Sequence, residues 1–109
     1  MICNIDNLYK AFETMEANNF DSSKELRWGF YFIDDKKDTL KKLSNELKGQ
    51  NYKAEKIRKI NNGEYQLTVN KIDIFTPEKL HERNLAFNEL ADRFSILCYD
   101  GWDVEKINT

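Results

Sequence analysis

Asn61-Asn62-Gly63-Glu64-Tyr65-Gln66-Leu67-Thr68-Val69-Asn70-Lys71-Ile72-Asp73-Ile74-Phe75-Thr76-Pro77 places a turn, a strand and a helix start in one run. Asn62-Gly63 suits a two-residue type I′ turn, whose central residues both need positive φ. Tyr52 to Ile60 and Glu64 to Phe75 are therefore predicted as the two arms of a hairpin. On the second arm Tyr65, Leu67 and Val69 share a face, while Ile72 and Ile74 fall on the other parity. A β-bulge near Asn70-Lys71 is expected to return them to the first face. Thr76 offers a capping oxygen, Pro77 fits the first helical position, and Phe75 can pack on Leu80. The helix so begun is predicted to reach about Phe94. Its stripe is Leu80, Asn84, Phe87, Leu90, Ala91 and Phe94, with Asn84 a polar interruption at the edge.

Upstream of the hairpin, Leu26 to Ile33 reads as a strand with bulk on both faces, which marks it as central. Asp34-Asp35 offers N-cap oxygens to a helix over residues 36–48. Leu40, Leu43 and Leu47 form its apolar stripe, and Lys37, Lys41 and Lys48 share a different face. Gly49 is expected to end it at positive φ. Residues 4–18 read as a further helix through Leu8, Phe12 and Met15. At the other end, Ser95 to Tyr99 reads as a short strand broken by Asp100-Gly101, with Trp102 to Ile107 an extended tail. The order is a helix followed by βαββαβ. This predicts an α+β domain of the ferredoxin-like kind, a two-layer sandwich with its core over about 26–107. The extra N-terminal helix is expected on the other face of the sheet, which would explain the bulk of the first strand. A sheet face shared in a dimer is the competing explanation.

A chain of 109 residues fits one domain. Roughly 60–70% of the unfolded surface of such a domain leaves water on folding, so neither a disulfide scaffold nor a structural metal is needed. Cys3 and Cys98 lie near opposite ends without metal-ligand spacing and read as free thiols of a reducing compartment, Cys98 as a small core residue. Asp6 interrupts the start too early for a signal peptide. The longest uncharged apolar stretch, Trp28 to Ile33, is too short to span a bilayer. A cytoplasmic protein with no membrane partner is expected.

Residue types that carry chemistry are scattered. His81 is the single histidine, and Leu85 stands where a zincin needs its second one. Gly29, Gly49, Gly63 and Gly101 form no phosphate-binding loop. Asp34, Asp35 and Asp38 are explained by helix capping, and Asp100 with Asp103 by an Asx-type turn. No catalytic, cofactor-binding or metal residue is assigned, and no enzyme is expected. Charge is uneven instead. The net is −2, but residues 1–35 carry −4, residues 36–60 carry +6 and residues 61–109 carry −4. Lys37, Lys41, Lys48, Lys56, Arg58 and Lys59 form a candidate basic surface that could meet phosphates. Trp28, Phe30 and Phe32 lack the motif of an RNA-recognition sheet, so direct nucleic-acid binding ranks below protein binding.

The run Leu80-His81-Glu82-Arg83-Asn84-Leu85-Ala86-Phe87-Asn88-Glu89-Leu90-Ala91, leading into Tyr99-Asp100-Gly101-Trp102, resembles the regulator of ribonuclease E activity B (RraB) family. There a long helix precedes a short strand and a similar Tyr-Asp-Gly-Trp element. The helix, strand, helix and hairpin before it also match that layout, so the resemblance spans residues 5–107. It implies a non-catalytic bacterial protein that binds a ribonuclease at a scaffold region and alters RNA decay. The family's proteobacterial member is strongly acidic, whereas this chain is nearly neutral with a basic middle. The alternative is a structural or immunity-type binding domain unrelated to RNA decay. Read from the residues, Tyr99 and Trp102 are large amphipathic groups of the kind that anchor interfaces. With Asp100, Gly101 and Asp103 they form a candidate protein-binding surface. The competing account is that Trp102 packs on the last helix and closes the core.

Overall fold

A computed structural model describes residues 4–107, so Cys3 lies outside the described residues. The elements are α1 (Ile5–Ala17), β1 (Leu26–Asp34), α2 (Lys37–Lys48), β2 (Lys53–Ala54), β3 (Arg58–Lys59), β4 (Tyr65–Asp73), α3 (Pro77–Arg93) and β5 (Cys98–Glu105). The sheet is antiparallel with order β2-β4-β1-β5, and β3 pairs with β4 beside β2. β1 and β4 are therefore central, and the last strand forms one edge. The chain is α+β, as its patterning predicts.

Trp28, Phe30 and Phe32 alternate along β1 onto one face and are fully buried. Leu67 and Val69 of β4 join them, and the stripes Leu40, Leu43, Leu47 and Leu80, Phe87, Leu90 close over them from α2 and α3. Phe87 centres this layer, with its ring 5.0 Å from Phe30 and 5.3 Å from Phe32. Thr76 caps α3 by accepting from the Lys79 amide at 3.1 Å, with Pro77 at the first turn. Asn4 does the same for α1, accepting from the Asp6 amide at 2.9 Å.

Five expectations need correction. The N-terminal helix does not cover the far face of the sheet. Phe12 stacks on Trp28 at 5.8 Å, and the Tyr9 hydroxyl donates to Glu78 of α3 at 2.8 Å. α1 thus lies in the same layer as α3. Arg27, Tyr31 and Ile33 sit on the opposite, uncovered face, none of them buried. Second, β4 carries no bulge. Its register with β1 is constant from Leu26↔Asp73 to Asp34↔Tyr65, leaving Ile72 and Ile74 exposed. The extra residue lies in the neighbouring edge, where Lys53↔Asn70 and Arg58↔Gln66 differ by one in register, splitting that arm into β2 and β3. Third, Asn62 and Gly63 have φ of 62° and 72° as the hairpin reading requires, but within a 3₁₀ turn over Asn61–Gly63.

The fourth concerns the ends of α2. Gly49 is right-handed at φ −66°, and the left-handed residue is Asn51 at φ 70°. The N-cap is Lys36, whose amide donates to Asp34 Oδ2 at 3.3 Å. Asp34 also accepts from the Leu97 amide at 3.2 Å, so this buried carboxylate ties the start of α2 to the approach of β5. Fifth, Asp100-Gly101 does not break the last strand. β5 is continuous, with a register shift opposite Tyr31/Phe32.

Candidate functional site

The shift in β5 explains the Tyr-Asp-Gly-Trp element. Tyr99 pairs with Phe32 and Gly101 with Tyr31, so Asp100 is the extra residue of a β-bulge. In a regular strand, residues three apart face opposite sides. The inserted residue resets the alternation, and both Tyr99 and Trp102 turn to the helix side. Tyr99 is 1% exposed, packs on Phe32 at 5.2 Å and Phe87 at 5.4 Å, and donates its hydroxyl to Asn84 Oδ1 at 2.6 Å. Asn84 is itself buried, in the core rather than at the edge of its stripe. Trp102 is half-buried, 5.7 Å from Trp28. Gly101 is buried at φ 106°, a conformation that a Cβ opposes. Asp100 and Asp103 are exposed. The surface-presenting members of the candidate protein-binding set are thus Asp100, Asp103 and the outer edge of Trp102.

On the uncovered face of the sheet, the Tyr31 hydroxyl donates to Asp103 Oδ2 across Gly29. A methyl group on Gly29 would overlap Asp103 Oδ1, so the glycine makes room for the carboxylate. Burial, then the hydrogen bond to Asp103 and its charge, push the Tyr31 phenol up to about 12. Arg27 and Glu105 approach to 3.9 Å on the same face. This trio escaped sequence reading, although a glycine inside a strand is the signal for a close approach.

The basic candidates divide. Lys37, Lys41 and Lys48 of α2 meet Lys56 around one groove. Arg58 does not line that groove but shares a second hollow with Lys56; its Nε and Nη2 donate to Gln66 Oε1 at 3.1 and 2.9 Å, and Lys59 is exposed beside it on β3. His81 is half-buried rather than on the surface, with Nδ1 shielded from solvent. The Cys98 thiol is half-buried and raised above its ordinary value, first by burial and then by Asp100. That holds it in the less reactive thiol form. Among the described residues, no group of three or more His, Cys, Asp or Glu could hold a metal ion. No helix there is long and apolar enough to cross a membrane.

Residues 6–104 match the family model described as Regulator of ribonuclease activity B. The chain belongs to the RraB family. Membership links it to regulation of ribonuclease activity rather than to a catalytic family. No curated protein matches the sequence. Within the family reading, the Tyr99-Asp100-Gly101-Trp102 element has a structural account in this chain: two aromatics fastened to one core by a bulge.

Proposed function

We propose that this chain is a non-catalytic regulator that acts on a cytoplasmic ribonuclease through protein–protein contact. The family match over residues 6–104 carries the reading. The strand order supports the ferredoxin-like layout that goes with it, since β2 and β3 together take the place of one edge strand. The contact surface proposed is the outer side of β5, where Asp100 and Asp103 are exposed beside Trp102. Tyr99 and Gly101 serve that surface from within by holding the strand in place.

The test is reconstitution. The purified chain is mixed with a ribonuclease purified from the same cells, and the mixture is treated with nuclease to remove bridging RNA. A one-to-one complex and a changed cleavage rate on a structured RNA are expected. Asp100→Lys should weaken that complex without altering unfolding. No complex together with unchanged cleavage would remove the ribonuclease reading and leave the immunity-type alternative.

A further inference from the structure

We propose that the groove between α2 and the split edge strand is a second docking surface, and that it takes an acidic segment of a protein. This goes beyond the β5 surface but rests on the same protein-contact reading. Lys37, Lys41, Ser44 and Lys48 recur at spacings of three or four along α2, with Asn45 beside them, and fall on one stripe. The register shifts by one residue between β2 and β3; the Glu55 amide still donates to the Thr68 carbonyl of β4 at 2.8 Å, and Glu55, Lys56 and Ile57 close the groove from that side. The groove measures about 370 Å³. Four lysines, three from α2 and one from the edge that follows it, therefore line one groove.

One carboxylate, Glu55, shares the groove with the four lysines, so the lining stays net positive. Lys41 has Asp38 at 3.9 Å, and that carboxylate is 92% exposed, so the pair is weak. Among the described residues no ion pair holds Lys37, Lys48 or Lys56. The summed field of this net positive lining attracts an anionic partner. The lining favours a protein over RNA. It contains no aromatic ring on which a base could stack and no arginine fork for bidentate phosphate contact, whereas the half-buried Ile57 offers an apolar seat beside the lysines. A segment alternating carboxylates with aliphatic side chains matches that lining.

The probe is a labelled peptide alternating glutamate with leucine, run beside a lysine–leucine peptide and a single-stranded RNA. The groove variant carries Lys37→Glu, Lys41→Glu, Lys48→Glu and Lys56→Glu. A charge-matched control carries Lys10→Glu, Lys24→Glu, Lys42→Glu and Lys59→Glu. The wild type should bind the acidic peptide, and the groove variant should bind it at least about tenfold more weakly than the control does. Lys37→Gln with Lys48→Gln supplies a milder variant should the fourfold reversal unfold the protein. Equal loss in groove and control variants, or tighter binding of RNA than of peptide at the same salt, would overturn the proposal. A wild type that ignores the peptide yet holds the ribonuclease would overturn the groove alone. Groove-dependent peptide binding without any ribonuclease complex would support the groove and remove the ribonuclease reading.

Discussion

Asn84 is a polar residue inside an apolar stripe, and the Tyr99 hydroxyl is what satisfies its buried oxygen. Tyr99→Phe keeps the ring and removes the donor. It should cost about 1–3 kcal/mol, the penalty for stranding a buried acceptor. Urea unfolding measures the loss, and replacing Asn84 by Leu in the same variant should recover part of it. The Gly29, Tyr31 and Asp103 group gives a pH-dependent counterpart. Gly29→Ala should drive the Asp103 carboxylate aside and lower the Tyr31 pKa from about 12 toward its ordinary 10.0. Because the folded value is raised, the stabilisation is complete below about pH 10 and is lost as pH rises toward about 12. Tyrosinate absorbance, compared with that of Tyr31→Phe, isolates this titration. An unchanged Tyr31 titration in Gly29→Ala would contradict the packing.

At the scale of elements, β5 combines an edge position with a bulge. Its acidic side chains Asp100, Asp103 and Glu105 discourage pairing with a second copy of itself, as charges on exposed edges do. The opposite edge is protected differently, by its division into β2 and β3. Because the bulge turns Trp102 toward Trp28, Trp102→Ala is expected to act mainly on stability. Full truncation of a buried aromatic costs about 3–5 kcal/mol, and this half-buried ring should lose about 2–3 kcal/mol. The denaturant midpoint should fall with little change in slope. A loss below about 0.5 kcal/mol would mean that the ring serves a partner instead. Gly101→Ala should cost about 1 kcal/mol or more, since a Cβ resists the positive φ that forms the bulge.

Across the whole molecule, the sheet order separates charge. The basic run of residues 36–60 occupies α2 and the β2–β3 edge, while the acidic side chains of β5 lie at the far edge. A net charge of −2 therefore conceals a dipolar surface that can orient an approaching partner. RNA affinity is expected to be weak, indifferent to sequence and lost with salt, because it would consist of counterion release at the lysines. Filter binding at low and physiological salt checks this. A tight, sequence-selective complex at physiological salt would reverse the ranking of protein over nucleic acid.

Local chemistry by itself determined the helices, the central strand and the left-handed turn. Capping at Thr76, the leucine stripes and the positive φ of Asn62 and Gly63 all act within a few residues, so they are legible along the chain. The side of the sheet taken by α1 was not. Apolar residues on a helix say that it is buried, but not against which face, and that depended on Phe12 meeting Trp28. Tertiary pairing also moved the bulges, from β4 to the edge beside it and into β5. A register shift is a relation between two strands, and only the partner shows where the extra residue falls. The same limit hid the site. Tyr31, Gly29 and Asp103 meet across paired strands, and the division of the basic run into a groove with Lys56 and a separate Arg58 and Lys59 follows from the edge register.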